Sequence, residues 1–221
     1  MKFLIKITAL VAGLMFSLNA EETERYGFLN VVNMIPSAAT CEINLSGKNL
    51  VPGGLKAAAE TGWFMVPIGS QAISFKHTAH KEFSSNITIV EGASNLIVIY
   101  LKSSERLDSD GNPFPPQVRL ASIPAYESKG ISLKAVSMLP AENHFHFARE
   151  AIELEFSKVT EIPKWTGGGF QIQHNGKFIG EVARGREQAS YMVLLSTDHQ
   201  GKHLTTIVNA DSQKLPLWMQ K

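Results

Sequence analysis

The chain has 221 residues, with 21 basic and 20 acidic side chains and a formal net charge of +1. A balance this even makes no field that would draw in nucleic acid or an anionic membrane surface, and no basic stripe stands out. The single cysteine, Cys41, excludes an intrachain disulfide framework, so stability has to come from packing.

Residues 1–20 read MKFLIKITALVAGLMFSLNA. Lys2 and Lys6 precede an apolar run from Ile7 to Leu18, which closes on a small residue, Ala20, before Glu21, Glu22 and Glu24. That is the pattern of a secretory signal peptide. The run is shorter than the roughly 20 apolar residues of a bilayer span, and no cysteine follows it to carry a lipid. The expected location is the periplasm or the extracellular space. A mature chain of about 200 residues suffices for one large or two small domains.

Residues 28–35, FLNVVNMI, read as a strand that stops at Pro36, since proline lacks the donor a sheet interior needs. Cys41 reads most simply as a small apolar side chain in a strand; an intermolecular disulfide and a nucleophile are the alternatives. Residues 55–63, LKAAAETGW, carry three alanines and are the best helix candidate in this half. The stretch 62–77 reads as two strands joined through Pro67-Ile68-Gly69, and NLIVIYL (95–101) as an apolar strand. Residues 103–117, SSERLDSDGNPFPPQ, have the composition of a linker or long loop, and 118–126 can add a last strand.

The second half repeats the first. Residues 131–139, ISLKAVSML, end at Pro140, and Leu29, Val32, Met34 and Pro36 recur without a gap as Leu133, Val136, Met138 and Pro140. Residues 142–158 offer good helix formers, but Ile152, Leu154 and Phe156 alternate with Glu153 and Glu155, which favours a half-exposed strand. Asn175-Gly176 between two short alternating runs is a strong hairpin signal, because a tight turn needs positive φ at both positions. SYMVLLS (190–196) matches NLIVIYL. The expected fold is all-β: two tandem β-sandwich-like domains, 25–126 and 129–221, small units able to pack on each other.

Candidate chemistry is sparse. His144 and His146 alternate with Phe145 and Phe147, so on a strand both imidazoles share a face and could begin a metal site; a solvent-facing polar side is the plainer alternative. His77-Thr78-Ala79-His80 and His199…His203 lack the helix and glutamate of a zinc-protease motif and read as loop residues. Asp108-Ser109-Asp110-Gly111-Asn112 places its glycine too early for an EF-type calcium loop and reads as a solvated turn. Residues 164–169, KWTGGG, precede a strand rather than a phosphate-binding helix. Trp165, Tyr191 and Trp63 could form a stacking platform for sugar, although such rings more often belong to a core. No Gly-x-Ser-x-Gly elbow is present. No catalytic residue and no cofactor is expected.

The layout of an export signal, the strand Tyr26-Gly27-Phe28-Leu29-Asn30-Val31-Val32-Asn33, its recurrence from Ile131, and the late hairpin Asn175-Gly176-Lys177-Phe178-Ile179-Gly180 resembles the periplasmic alginate O-acetylation accessory family (AlgF-like). It is similar too to broader secreted tandem β-sandwich families of unknown function. The resemblance implies a non-enzymatic adaptor that binds envelope proteins of a polysaccharide O-acetyltransferase system, and polysaccharide itself, but not nucleic acid. It carries over no catalytic residue. A carbohydrate-binding module and a metal-dependent enzyme are the competing expectations.

Overall fold

The computed structural model describes residues 25–102, 106–125, 131–139, 144–163, 165–183, 190–197, 202–210 and 214–216. The expected signal peptide lies outside these residues, as do Pro140, Lys164 and His199. The regular structure they form is entirely β. The first half contains β1 (Tyr26–Asn33), β2 (Cys41–Leu45), β3 (Lys48–Asn49), β4 (Ala59–Glu60), β5 (Trp63–Pro67), β6 (Gly69–His77), β7 (His80–Ile89), β8 (Ser94–Lys102) and β9 (Gln117–Ala125). The second contains β10 (Ser132–Ser137), β11 (His144–Phe147), β12 (Glu150–Glu153), β13 (Thr160–Glu161), β14 (Phe170–His174), β15 (Lys177–Val182), β16 (Ser190–Thr197) and β17 (His203–Asn209), followed by β18 (Lys214–Pro216).

Four sheets result, ordered β18-β5-β1-β8-β9, β3-β2-β6-β7, β13-β10-β16-β17 and β12-β11-β14-β15. The two halves share a central topology, although the sheet holding β1 has two strands more than the sheet holding β10. β1 runs parallel to β8 as β10 does to β16, and an antiparallel strand, β9 or β17, closes each sheet. Each half is a two-sheet sandwich with its own core: Leu29, Ile43, Phe64, Phe75 and Ile97 in the first, Leu133, Phe145, Phe147, Ile172 and Val193 in the second.

A third core joins them. Val32, Met34, Trp63, Leu96 and Val98 from one sandwich pack on Val136, Met138, Met192, Leu194 and Val208 from the other. The protein is therefore a stack of four β layers, with the sheets holding β1 and β10 in the middle. Successive residues of a strand face opposite sides, so Val31 enters the first sandwich's core while Val32 enters the shared one. This explains the recurring Leu-x-x-Val-x-Met-x-Pro. In both copies the leucine fills its own sandwich, and the valine and methionine fill the joint between the two. It also explains the unbroken apolar runs of β8 and β16, because strands covered on both faces do not alternate.

The strand ends repeat as well. Met34 N donates to the Ile99 carbonyl at 2.7 Å and Met138 N to the Leu195 carbonyl at 2.8 Å. Asn33 Oδ1 then accepts from Ile35 N at 3.0 Å, and Ser137 Oγ from Leu139 N at 3.2 Å. A short polar side chain thus turns each chain out of the sheet just before its proline.

Residues 55–63 correct the helix expectation. Leu55 exchanges backbone hydrogen bonds with Cys41, Ala58 N donates to the Asn33 carbonyl at 2.7 Å, and β4 pairs with β1. Pairing partners already in place outweigh the modest helix preference of three alanines. Residues 150–153 are strand, and Leu154 is buried between exposed Glu153 and Glu155, as the alternation indicated. At the β14–β15 hairpin Asn175 has φ 50° and Gly176 φ 72°, the conformation that selected those residue types. The short strand β18 runs parallel to β5, so residues 214–216 return to the first sandwich's sheet.

Candidate functional site

The aromatic residues separate. Trp63 is 1% exposed in the shared core, where its indole N–H donates to the Asn209 carbonyl at 2.9 Å. Both its faces are covered, which removes it from any sugar platform and makes it a pin between the sandwiches. Trp165 and Tyr191 do meet, edge to face at 5.7 Å, half-buried against the second core. Trp165 Nε1 is engaged by the Gly168 carbonyl at 2.7 Å, which folds the glycine-rich segment back under the ring.

On β11, His144 and His146 are exposed and Phe145 and Phe147 buried, the alternation its sequence implied. Among the described residues no three His, Cys, Asp or Glu side chains are grouped so as to hold a metal ion. Asp108 sits in a surface turn, where Oδ1 accepts from Asp110 N (2.9 Å) and Asn112 N (2.8 Å). The backbone N–H of Asn112, above all, holds its carboxyl below the usual range. Cys41 is buried, and burial, with Glu42 adding to it, pushes its thiol up to about 11. Among the described residues no helix is long and apolar enough to cross a membrane.

Two buried asparagines on β1 are structural. Asn33 Nδ2 donates to the Leu55 carbonyl at 2.9 Å, and Asn30 Nδ2 to Glu60 at 2.6 Å. Both tie the 55–61 segment to the sheet.

His77, His80 and His203 belong to strand ends rather than loops. His77 closes β6 and His174 closes β14, at matching places in the two halves. Each stands beside a second imidazole. The His77 and His80 rings are 4.9 Å apart, and His174 Nδ1 lies 3.1 Å from His203 Nε2. Burial, then the neighbouring imidazole, lowers the pKa of both His80 and His203. His77 is 4% exposed, and its Nε2 is buried without a hydrogen-bond partner.

One concavity is not announced by the sequence. A groove of about 610 Å³ lies between residues 79–83, where β7 begins, and residues 114–119, where the linker-like segment becomes β9. Phe83 is partly buried on the first core and stacks on Phe75 at 6.1 Å; Phe114, on the other wall, is 46% exposed. Lys81 and Arg119 stand on opposite walls with one acid, Glu82. The only signal in the sequence was an aromatic inside a proline-rich segment, Pro113-Phe114-Pro115-Pro116, that otherwise read as a connector.

Fold and groove together define a class: an all-β protein of two stacked sandwiches with a groove at the rim of one. Neither protein-family models nor curated proteins give a match to this sequence.

Proposed function

We propose that the chain is an exported, non-enzymatic accessory protein that works by binding partner proteins in the cell envelope, in an exopolysaccharide O-acetylation system of the alginate type. The observation that carries the binding role is the groove between β7 and β9, whose aromatic and cationic walls suit recognition. Export rests on the charged, apolar and small-residue sequence of residues 1–20. The pathway rests on the resemblance carried by Tyr26–Asn33 and the hairpin after Asn175. Tagged protein, mildly crosslinked in envelope extracts of the source organism, is expected to recover O-acetylation components. Recovery of no envelope protein counts against the adaptor role. Intact-mass measurement of the exported form is expected to begin at Glu21.

A carbohydrate-binding reading is favoured by the contact of Trp165 with Tyr191. It predicts that acidic or neutral glycans change tryptophan fluorescence and that Trp165→Ala removes the response. An unchanged spectrum with both glycan classes retires it.

A further inference from the structure

We infer that the open side of the first sandwich is a strand-addition site for an extended acidic segment of a partner protein. This rests on the adaptor role proposed above and names the chemistry of the partner.

The internal repeat supplies the comparison. β7 and β9 are the last strands of their sheets, as β15 and β17 are in the second sandwich. In the second sandwich that side is stitched shut. Thr205 Oγ1, on β17, donates to the Ile179 carbonyl on β15 at 2.8 Å. His203, also on β17, meets His174 on β14 at 3.1 Å. Gly180 lets the strands approach so closely that a Cβ there would lie 2.9 Å from Thr205 Cγ2. In the first sandwich β7 and β9 lie side by side, as β15 and β17 do, and the groove opens at one end of them, between residues 79–83 and 114–119. His77, the counterpart of His174, lies with its ring 4.9 Å from that of the groove-lining His80 and keeps a buried nitrogen unpartnered. One copy of the duplicated architecture is bonded across this side through Thr205; the other carries the groove there.

The walls specify the occupant. β7 is a ten-residue strand whose outer edge is unpaired among the described residues, and such an edge offers backbone donors and acceptors to an added strand. Pro115 and Pro116 contribute no N–H to the facing wall. A sugar polymer would leave the β7 ladder unused; a peptide backbone completes it. Lys81 on one wall and Arg119 on the other favour carboxylates, and Arg119 is steadied by Gln117, whose Oε1 accepts from its Nη2 at 2.6 Å. Phe83 and Phe114 accommodate the apolar side chains that alternate with those carboxylates along a strand.

Labelled peptides of about ten residues alternating Glu and Val test this by fluorescence anisotropy on the full chain. Binding is expected, with at least about tenfold loss in the Lys81→Glu, Arg119→Glu double variant and a smaller loss in Phe114→Ala. All three side chains lie on the surface, so folding is checked by an unchanged circular dichroism spectrum. Lys-for-Glu peptides and backbone N-methylated Glu-Val peptides are expected not to bind. The proposal is overturned if Glu-Val peptides fail to bind, bind the double variant equally, or bind equally when N-methylated. It is overturned too if an oligouronate of equal charge displaces them and binds more tightly, which would make the site one for polymer. In envelope capture, partners held equally by wild type and double variant would sink the groove assignment and leave the adaptor role standing. Capture of none by wild type would sink the adaptor role, while the peptide series still judges the groove.

Discussion

Cys41 shows how position decides the chemistry of a residue. Its side chain is buried among the first core's aliphatic groups, and its thiol titrates near 11. Ellman's reagent at pH 8 is expected to leave the native protein unmodified and to report one thiol in denaturant. Rapid native reaction would place the sulfur at the surface and reopen the disulfide and nucleophile alternatives. The imidazole pairs make a second prediction. His80 and His203 have folded pKa values below the ordinary 6.5, first because burial penalises the charged ring, then because another imidazole stands beside each. Lys177 adds to this at His203, and the Ser196 backbone opposes it. The unfolded chain therefore binds more protons below the ordinary value. Their contribution to stability is complete above it and is lost as pH falls through the lowered folded values. Melting temperature is expected to decline from neutral pH toward about pH 5. His203→Asn should flatten the slope in that window, and an identical slope would remove the pair from the account.

At the scale of elements, the sequence was most legible where a local rule acts alone. Asn175-Gly176 demanded a tight turn because few other pairs tolerate two positive φ values, and the turn is there. Gly176→Val should cost about 1–2 kcal/mol, read as a lower urea midpoint, because a β-branched residue resists the left-handed region. Alternation placed the faces of β11 and β12 correctly. Residues 55–63 misled because propensity is a small energy. The carbonyls of Cys41 and Asn33 and the edge of β1 claim that segment's backbone, and none is visible within nine residues of sequence. The linker-like stretch was legible as irregular, but not as a wall: Leu107 bridges Pro113, and the segment beyond delivers Phe114 and the prolines opposite β7.

At the scale of the whole molecule, the joint between sandwiches dominates. Trp63 fills it and hydrogen-bonds across it, and Thr206 Oγ1 donates to the Ala58 carbonyl at 2.9 Å while lying 3.4 Å from Met34 Sδ. Trp63→Ala should cost about 3–5 kcal/mol, through the cavity left and the lost bond. Because the inner sheets share this core, urea unfolding followed by fluorescence and by circular dichroism should coincide in one transition. Met34→Ala and Met138→Ala should each lower that single midpoint. Two separated transitions would show that the sandwiches stand independently.

The sequence by itself determined the all-β class, the duplication and which strands would be most apolar, because side-chain period, turn chemistry and a recurring eight-residue pattern are written locally. Only the tertiary structure decided that the repeated valine and methionine face a shared core, that Trp63 is a pin rather than a platform, and that a groove lies at the rim of the first sandwich. Those outcomes depend on which sheet edges lie beside each other, and that is fixed by the joint burial of strands far apart in the chain.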